Sequence, residues 1–183
     1  MIPFPHSMLG QGVSVTYTAT AWLFPGSMGS ISIGGPIWNG TGNIGADDGA
    51  RATSIMTEGA GAGNYLRGSN FNFAGESIPS GATITGVEAR ISRYSADPDT
   101  VADQQVLLYP DYTTGSPSLN RAKAGNWPTT EAIQTYGASN DLWGLAITKA
   151  MLEATNFALA LQLPAANCVA AVNYFQVRAH YYY

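Results

Sequence analysis

His6 and His180 are the only imidazoles in the chain, so acid–base chemistry near neutral pH would centre on them. Neither has a Ser, Cys or Asp at a motif spacing, and no Gly-x-Ser-x-Gly elbow occurs. His180, next to tyrosines, reads as a surface or core-rim residue. Asp47-Asp48 ahead of Gly49 could hold calcium through carboxylate oxygens, but Asn and Asp before glycine more often close turns with Asx hydrogen bonds. Asp97-Pro98-Asp99 with Asp103 is a second set of oxygen ligands, and it lacks the spacing of an EF-hand. Gly59-Ala60-Gly61-Ala62-Gly63 has the glycines of a phosphate loop without the Lys-Ser/Thr that would reach phosphate. No catalytic residue, cofactor or metal is assigned on these grounds.

The aromatic residues carry the strongest signal. Trp127-Pro128, Tyr136-Gly137 and Asp141-Leu142-Trp143-Gly144 lie in one stretch without strand or helix periodicity. Rings of this size either stack on sugars or bury large apolar areas. Set among Pro and Gly, Trp127, Tyr136 and Trp143 read as core, in an ordered crossover that plugs a β-structure. Tyr181-Tyr182-Tyr183 differs, because successive rings on a strand face opposite sides. These three, with Ile2, Phe4 and His6 of the amino-terminal segment, are the candidate partner interface.

The elements around these residues are strands. Residues 1–12 hold Pro3 and Pro5 without a repeating apolar face and read as an extended arm, with a single β-sandwich domain over 13–183. Val13 to Thr20 alternates with Val13, Val15, Tyr17 and Ala19 on the apolar face. A turn at Pro25-Gly26, a brief edge strand within 27–35 and a loop over 38–49 follow. Strands are expected over 52–57 and 65–73, with Phe71 and Phe73 on one face. Ile78-Pro79-Ser80-Gly81 is a turn. It leads into the longest clear strand, Ala82 to Tyr94, with Val87, Ala89 and Ile91 inward, Glu88, Arg90 and Ser92 outward, and a bulge at Gly86. Val101 to Tyr109 is another strand. Thr148 caps one short helix with Met151 and Leu152 inward. Phe157, Leu159, Leu161 and Leu163 form a half-buried strand face, the first three being core candidates, and Val169 to Tyr183 returns as a long final strand. The pattern predicts a mainly β chain, an antiparallel β-sandwich of jelly-roll or Greek-key type with one short helix.

Composition narrows the setting. Hydrophobic residues make up 45% of the 183 but charged ones only 11%, and the net charge of -4 gives no footprint for nucleic acid. The single Cys168 allows no intramolecular disulfide and, beside Val169 and Ala170, reads as a buried, inert thiol. Met-Ile-Pro-Phe-Pro-His has no positive n-region and no apolar run is long enough for a membrane helix, so neither a signal peptide nor a membrane anchor is expected.

Four segments in order resemble tailed-bacteriophage virion proteins of β-sandwich type, found as capsid decoration (cement) proteins or as head and tail appendages. They are Trp38-Asn39 with Ala46-Asp47-Asp48-Gly49-Ala50-Arg51-Ala52; Phe73 with Ile78-Pro79-Ser80-Gly81-Ala82-Thr83-Ile84-Thr85-Gly86-Val87; Trp127-Pro128 with Tyr136-Gly137; and Asp141-Leu142-Trp143-Gly144. The resemblance runs from Trp38 to the C-terminus. It implies a non-enzymatic virion protein made in the host cytoplasm, a homo-oligomer expected to be a trimer, clamping the major capsid protein or another virion protein. No nucleic acid or membrane partner is implied. The alternative is a glycan-binding, receptor-binding module of a phage tail or fibre, since Tyr and Trp on an open sheet face can stack on sugars.

Overall fold

The computed structural model describes residues 15–56, 61–96, 101–165 and 168–183. The arm 1–12 with Ile2, Phe4 and His6, the Asp97-Pro98-Asp99 turn and the Cys168 side chain lie outside the described part.

Among the described residues, ten strands and one short α-helix follow one another: β1 (Tyr17–Ala19), β2 (Ser27–Ile31), β3 (Trp38–Asn39), β4 (Ala52–Met56), β5 (Tyr65–Ser69), β6 (Thr83–Ser95), β7 (Gln105–Tyr109), β8 (Ala132–Gly137), α1 (Lys149–Glu153), β9 (Ala158–Gln162) and β10 (Cys168–Tyr182). They make two antiparallel sheets. One has six strands in the order β3-β4-β10-β6-β8, with β1 also beside β10, and the other has four in the order β2-β5-β9-β7. From β4 to β10 each strand lies in the opposite sheet from the one before it, the winding of a jelly roll. Where a further strand of the smaller sheet would run, segment 118–121 hydrogen-bonds irregularly beside β7, through Ser118 N to Leu108 O at 2.8 Å and Arg121 N to Val106 O at 2.9 Å.

The core lies between the inner faces. Val87, Ala89, Ile91, Val172, Phe175 and Val177 of the larger sheet meet Leu66, Val106, Leu108, Leu159 and Leu161 of the smaller. Alternation on β6 and β10 follows directly from the period of two. A register shift between β6 and β10 leaves Thr85 unpaired next to Gly86. A Cβ on Gly86 would lie 2.3 Å from Ala138 O, so only glycine lets loop 138–139 close over the sheet. Thr148 caps α1 by accepting from Met151 N.

Several local expectations are corrected. The Val13-to-Thr20 strand is shorter and turned over: Tyr17 pairs with Tyr182 on the outer face, while Thr18 lies opposite Tyr181 on the core side. Register with β10 decides the face, whatever the local alternation. Tyr17 is consequently 73% exposed and Thr20 is buried. Phe71 and Phe73 do pack together, at 6.5 Å between centroids, but through left-handed Asn70 and Asn72 and a 3-10 turn rather than a strand. The stretch from Trp127 to Trp143 contains β8, paired with β6. Met151 points outward and only Leu152 is buried. β9 is buried on both faces, because Ala158 and Ala160 sit beneath longer neighbours such as Arg67 and Leu107, both opposite Ala160.

Candidate functional site

The aromatic crossover is built around a carboxylate. Asp103 lies before β7 with its side chain fully buried, in an ion pair with the Arg93 guanidinium on the inner side of β6. Trp127 Nε1 donates to Asp103 Oδ1 at 2.8 Å, Tyr136 OH donates to Oδ2 at 2.9 Å, and Lys123 N donates to Oδ2 at 3.1 Å. Arg93 also lies over the Trp127 ring, 4.7 Å from its centroid. A buried ion pair is tolerated only when the remaining lone pairs find donors, and here Trp127, Tyr136 and Lys123 supply three beside Arg93. Burial, and then the negative charge of Asp103, push the Tyr136 phenol far up, so it stays a neutral donor. Both Asp103 oxygens are committed to the fold, which takes Asp103 out of the oxygen-ligand set that the sequence offered.

Trp143 completes the arrangement with a positive φ of 57°. Bulky residues avoid that region, and two bonds hold it there. Its backbone N donates to Asp141 Oδ1 and its Nε1 to Val87 O, both at 2.8 Å. Asp141 in turn takes Arg121 bidentately, at 2.6 and 2.7 Å. Gly137 must lack a side chain, since its Cβ would fall 2.5 Å from Trp143 Nε1. Trp127, Tyr136 and Trp143 are 2%, 0% and 0% exposed, so no saccharide can stack on them. Replacing Trp143 by Phe strands the Val87 carbonyl, and the expected loss is about 1–3 kcal/mol in urea unfolding.

The outer face of the six-stranded sheet has a different character. Thr135, Arg90 and Gln176 stand directly opposite one another on β8, β6 and β10. Beside this row run Ile133, Ser92 and Tyr174 on one side and Gly137, Glu88 and Arg178 on the other. Trp22 closes one flank, its ring centroid 3.9 Å from the Arg90 guanidinium carbon and 4.4 Å from that of Arg178. Phe24 meets Tyr174 edge-on at 5.7 Å. Arg178 Nε is 2.6 Å and His180 Nε2 2.7 Å from Glu88 Oε2. Among the described residues, Arg90 has no carboxylate partner, and the side chains of Gln176 and Thr135 make no hydrogen bond. Half-buried polar groups left open beside rings are what a polar, ring-shaped ligand would engage.

Toward one end of this face a cleft of about 630 Å³ opens between Tyr17, Thr85, Ser139, Asn140, His180 and Tyr181. At the other end Glu131 accepts from Ser92 Oγ at 2.6 Å, Asn173 Nδ2 at 2.8 Å and Arg51 Nη2 at 2.8 Å. Asn173 Nδ2 also donates to Asp47 Oδ1, and Asp48 closes an Asx turn onto Ala50 N. The candidate calcium loop is thus held by hydrogen bonds from its own neighbours.

These carboxylates make the fold acid-sensitive. The Ser92 hydrogen bond, opposed by burial and aided by Asn173 and Arg51, holds Glu131 below its ordinary 4.5. Burial raises Glu88, but hydrogen bonds and charge from His180 and Arg178 outweigh it, and the net shift is downward. Asp141 is lowered chiefly by Arg121. A depressed carboxylate stabilises above its unfolded pKa and loses that contribution as pH falls through the folded one. Unfolding free energy is therefore expected to hold until about pH 4.5 and to fall below it, less steeply in E131Q, as read by urea unfolding across pH.

Of the candidate interface residues, Tyr181 is 8% exposed, packs with the core cluster and borders the cleft. Tyr182 lies on the outer face with its ring 5.5 Å from Tyr17, and Tyr183 is 57% exposed, stacked on Tyr181. Phe157, Leu159 and Leu161 are fully buried. Trp22, Arg90, Gln176 and Thr135 escaped sequence reasoning, although the outward phase of Arg90 was readable.

The fold defines a β-sandwich without, among the described residues, any cluster of three metal-ligating side chains or any helix long and apolar enough to cross a membrane. No protein-family model matches the sequence, and no curated protein does. Two solved structures similar to it are carbohydrate-binding modules. The CBM22-1 xylan-binding domain of Paenibacillus barcinonensis Xyn10C has 13% identity and a TM-score of 0.37 over 86% of this chain and 85% of that one. A family 29 module from Piromyces equi has 13% identity and a TM-score of 0.39 over 91% of each chain. Those scores are too low to carry a function across.

Proposed function

We propose that this chain is a non-catalytic, glycan-binding module of a tailed-phage virion, with the outer face of the six-stranded sheet as its binding surface. The observation that carries the reading is the row Thr135-Arg90-Gln176 beside the Trp22 ring. Rings offer a flat apolar surface to the C–H face of a sugar, and open amide, hydroxyl and guanidinium groups match its hydroxyls. Alternate residues on a strand are spaced about 6.6 Å apart, so Tyr174, Gln176, Arg178 and His180 extend over about 20 Å, the length of a short oligosaccharide. The virion setting is supported by the low charge and by the order of Trp-Pro, Tyr-Gly and Asp-Leu-Trp-Gly.

The second reading is a capsid decoration protein that clamps neighbours as a homo-oligomer. It draws on the exposed apolar side chains Tyr17, Ile55 and Ile133 on the same sheet, at 73%, 63% and 53% exposure. A glycan array separates the two. Retention of particular saccharides by the monomeric protein supports the first; no saccharide bound, with a stable oligomer in sedimentation and many copies on the shell, supports the second.

A further inference from the structure

We infer that the saccharide recognised by this face is acidic, with its carboxylate paired to Arg90; this rests on the glycan-binding reading above. Three arginines lie on the face. Arg51 pairs with Glu131 at 2.8 Å and Arg178 with Glu88 at 2.6 Å, which leaves Arg90 as the one without a carboxylate among the described residues. The other acidic groups nearby are already engaged. Glu88 is shared by Arg178 and His180, Glu131 by Ser92, Asn173 and Arg51, and Asp47 accepts from Asn173.

Arg90 is also poised in geometry. Its contact with Trp22, at 3.9 Å, is with the face of the indole, and a stacked guanidinium spends none of its in-plane N–H donors. Those donors form the fork that matches a carboxylate bidentately. Trp22 restricts the guanidinium and shields it from water, which strengthens an ion pair formed there. Gln176 and Thr135, opposite Arg90 on either side, supply donors and acceptors for neighbouring hydroxyls. A neutral sugar would satisfy Gln176 and Thr135 but leave the Arg90 charge without a counter-ion.

The test compares polygalacturonate, a polymer of carboxylate-bearing sugars, with neutral dextran and with the neutral saccharides of an array, for the wild type and for R90Q. Expected is at least about tenfold tighter binding of polygalacturonate than of any neutral polymer, weakening as salt rises, with the preference lost in R90Q. R90Q should melt within a few degrees of the wild type, because the side chain lies on the outer face. Neutral binding abolished by W22A but indifferent to R90Q would overturn the acidic assignment and leave the glycan-binding reading intact. Absence of any saccharide binding would overturn both.

Discussion

Asp103→Ala is expected to cost about 3–5 kcal/mol of unfolding free energy, the largest effect of any single substitution considered for this chain. The reason is what the change leaves behind. Arg93 is only 5% exposed in its side chain and would keep its charge with no counter-ion. Trp127 Nε1 and Tyr136 OH would each lose an acceptor in the interior. Neither ring can turn to water, since Trp127 is 2% exposed and Tyr136 is fully buried. Urea unfolding followed by tryptophan fluorescence reads the loss. A drop below about 1 kcal/mol would mean that the cluster is hydrated or rearranges cheaply. The double variant D103L/R93M, which removes both charges together, should recover much of the loss, because an apolar pair of similar volume avoids the desolvation cost of buried ions.

The second large effect concerns binding. Trp22→Ala should weaken saccharide binding by about 30-fold or more, the scale of an aromatic hot spot. Trp22 contributes its own ring and also holds Arg90, so its removal frees that guanidinium, while Arg178 keeps its ion pair with Glu88. Its contacts are on the outside of the sheet, and thermal melting should change little. Titration calorimetry of the wild type and W22A against the best saccharide measures this directly. Equal affinities would move the ligand off the row beside Trp22 and into the cleft beside Tyr17 and His180 at the end of the face.

The sandwich was legible wherever alternation and turn chemistry agreed. β6, β9 and β10 announce themselves by period-two patterns, and Pro79 and Gly81 mark the entry to β6. The faces of β1 were not legible, because a three-residue strand takes its orientation from Tyr181 and Tyr182 across the ladder. The Phe71–Phe73 turn was missed because left-handed asparagines leave a sequence that still alternates. The central pair was hidden for another reason: Asp103 meets Trp127 and Tyr136 across separations of 24 and 33 residues. The proposed binding face is the extreme case. Trp22, Arg90, Thr135 and Gln176 come from four distant parts of the chain, and none carries a motif. Strand register brings Thr135, Arg90 and Gln176 into one row, and the bridge from Leu23 to Val177 lays Trp22 beside it.

If the outer face of the six-stranded sheet is the saccharide surface, an acidic oligosaccharide must perturb the side chains that line it. Titrating isotopically labelled protein with polygalacturonate oligomers and following side-chain signals by NMR tests it most directly. The largest shifts are expected at the Trp22 indole N–H, the Arg90 guanidinium and the Gln176 amide, with the Trp127 and Trp143 indoles unmoved. Shifts gathered instead at Tyr65 and Arg67 of β5 and at the Tyr112 ring, 3.9 Å from the Arg67 guanidinium carbon, or none at saturating saccharide, would contradict it.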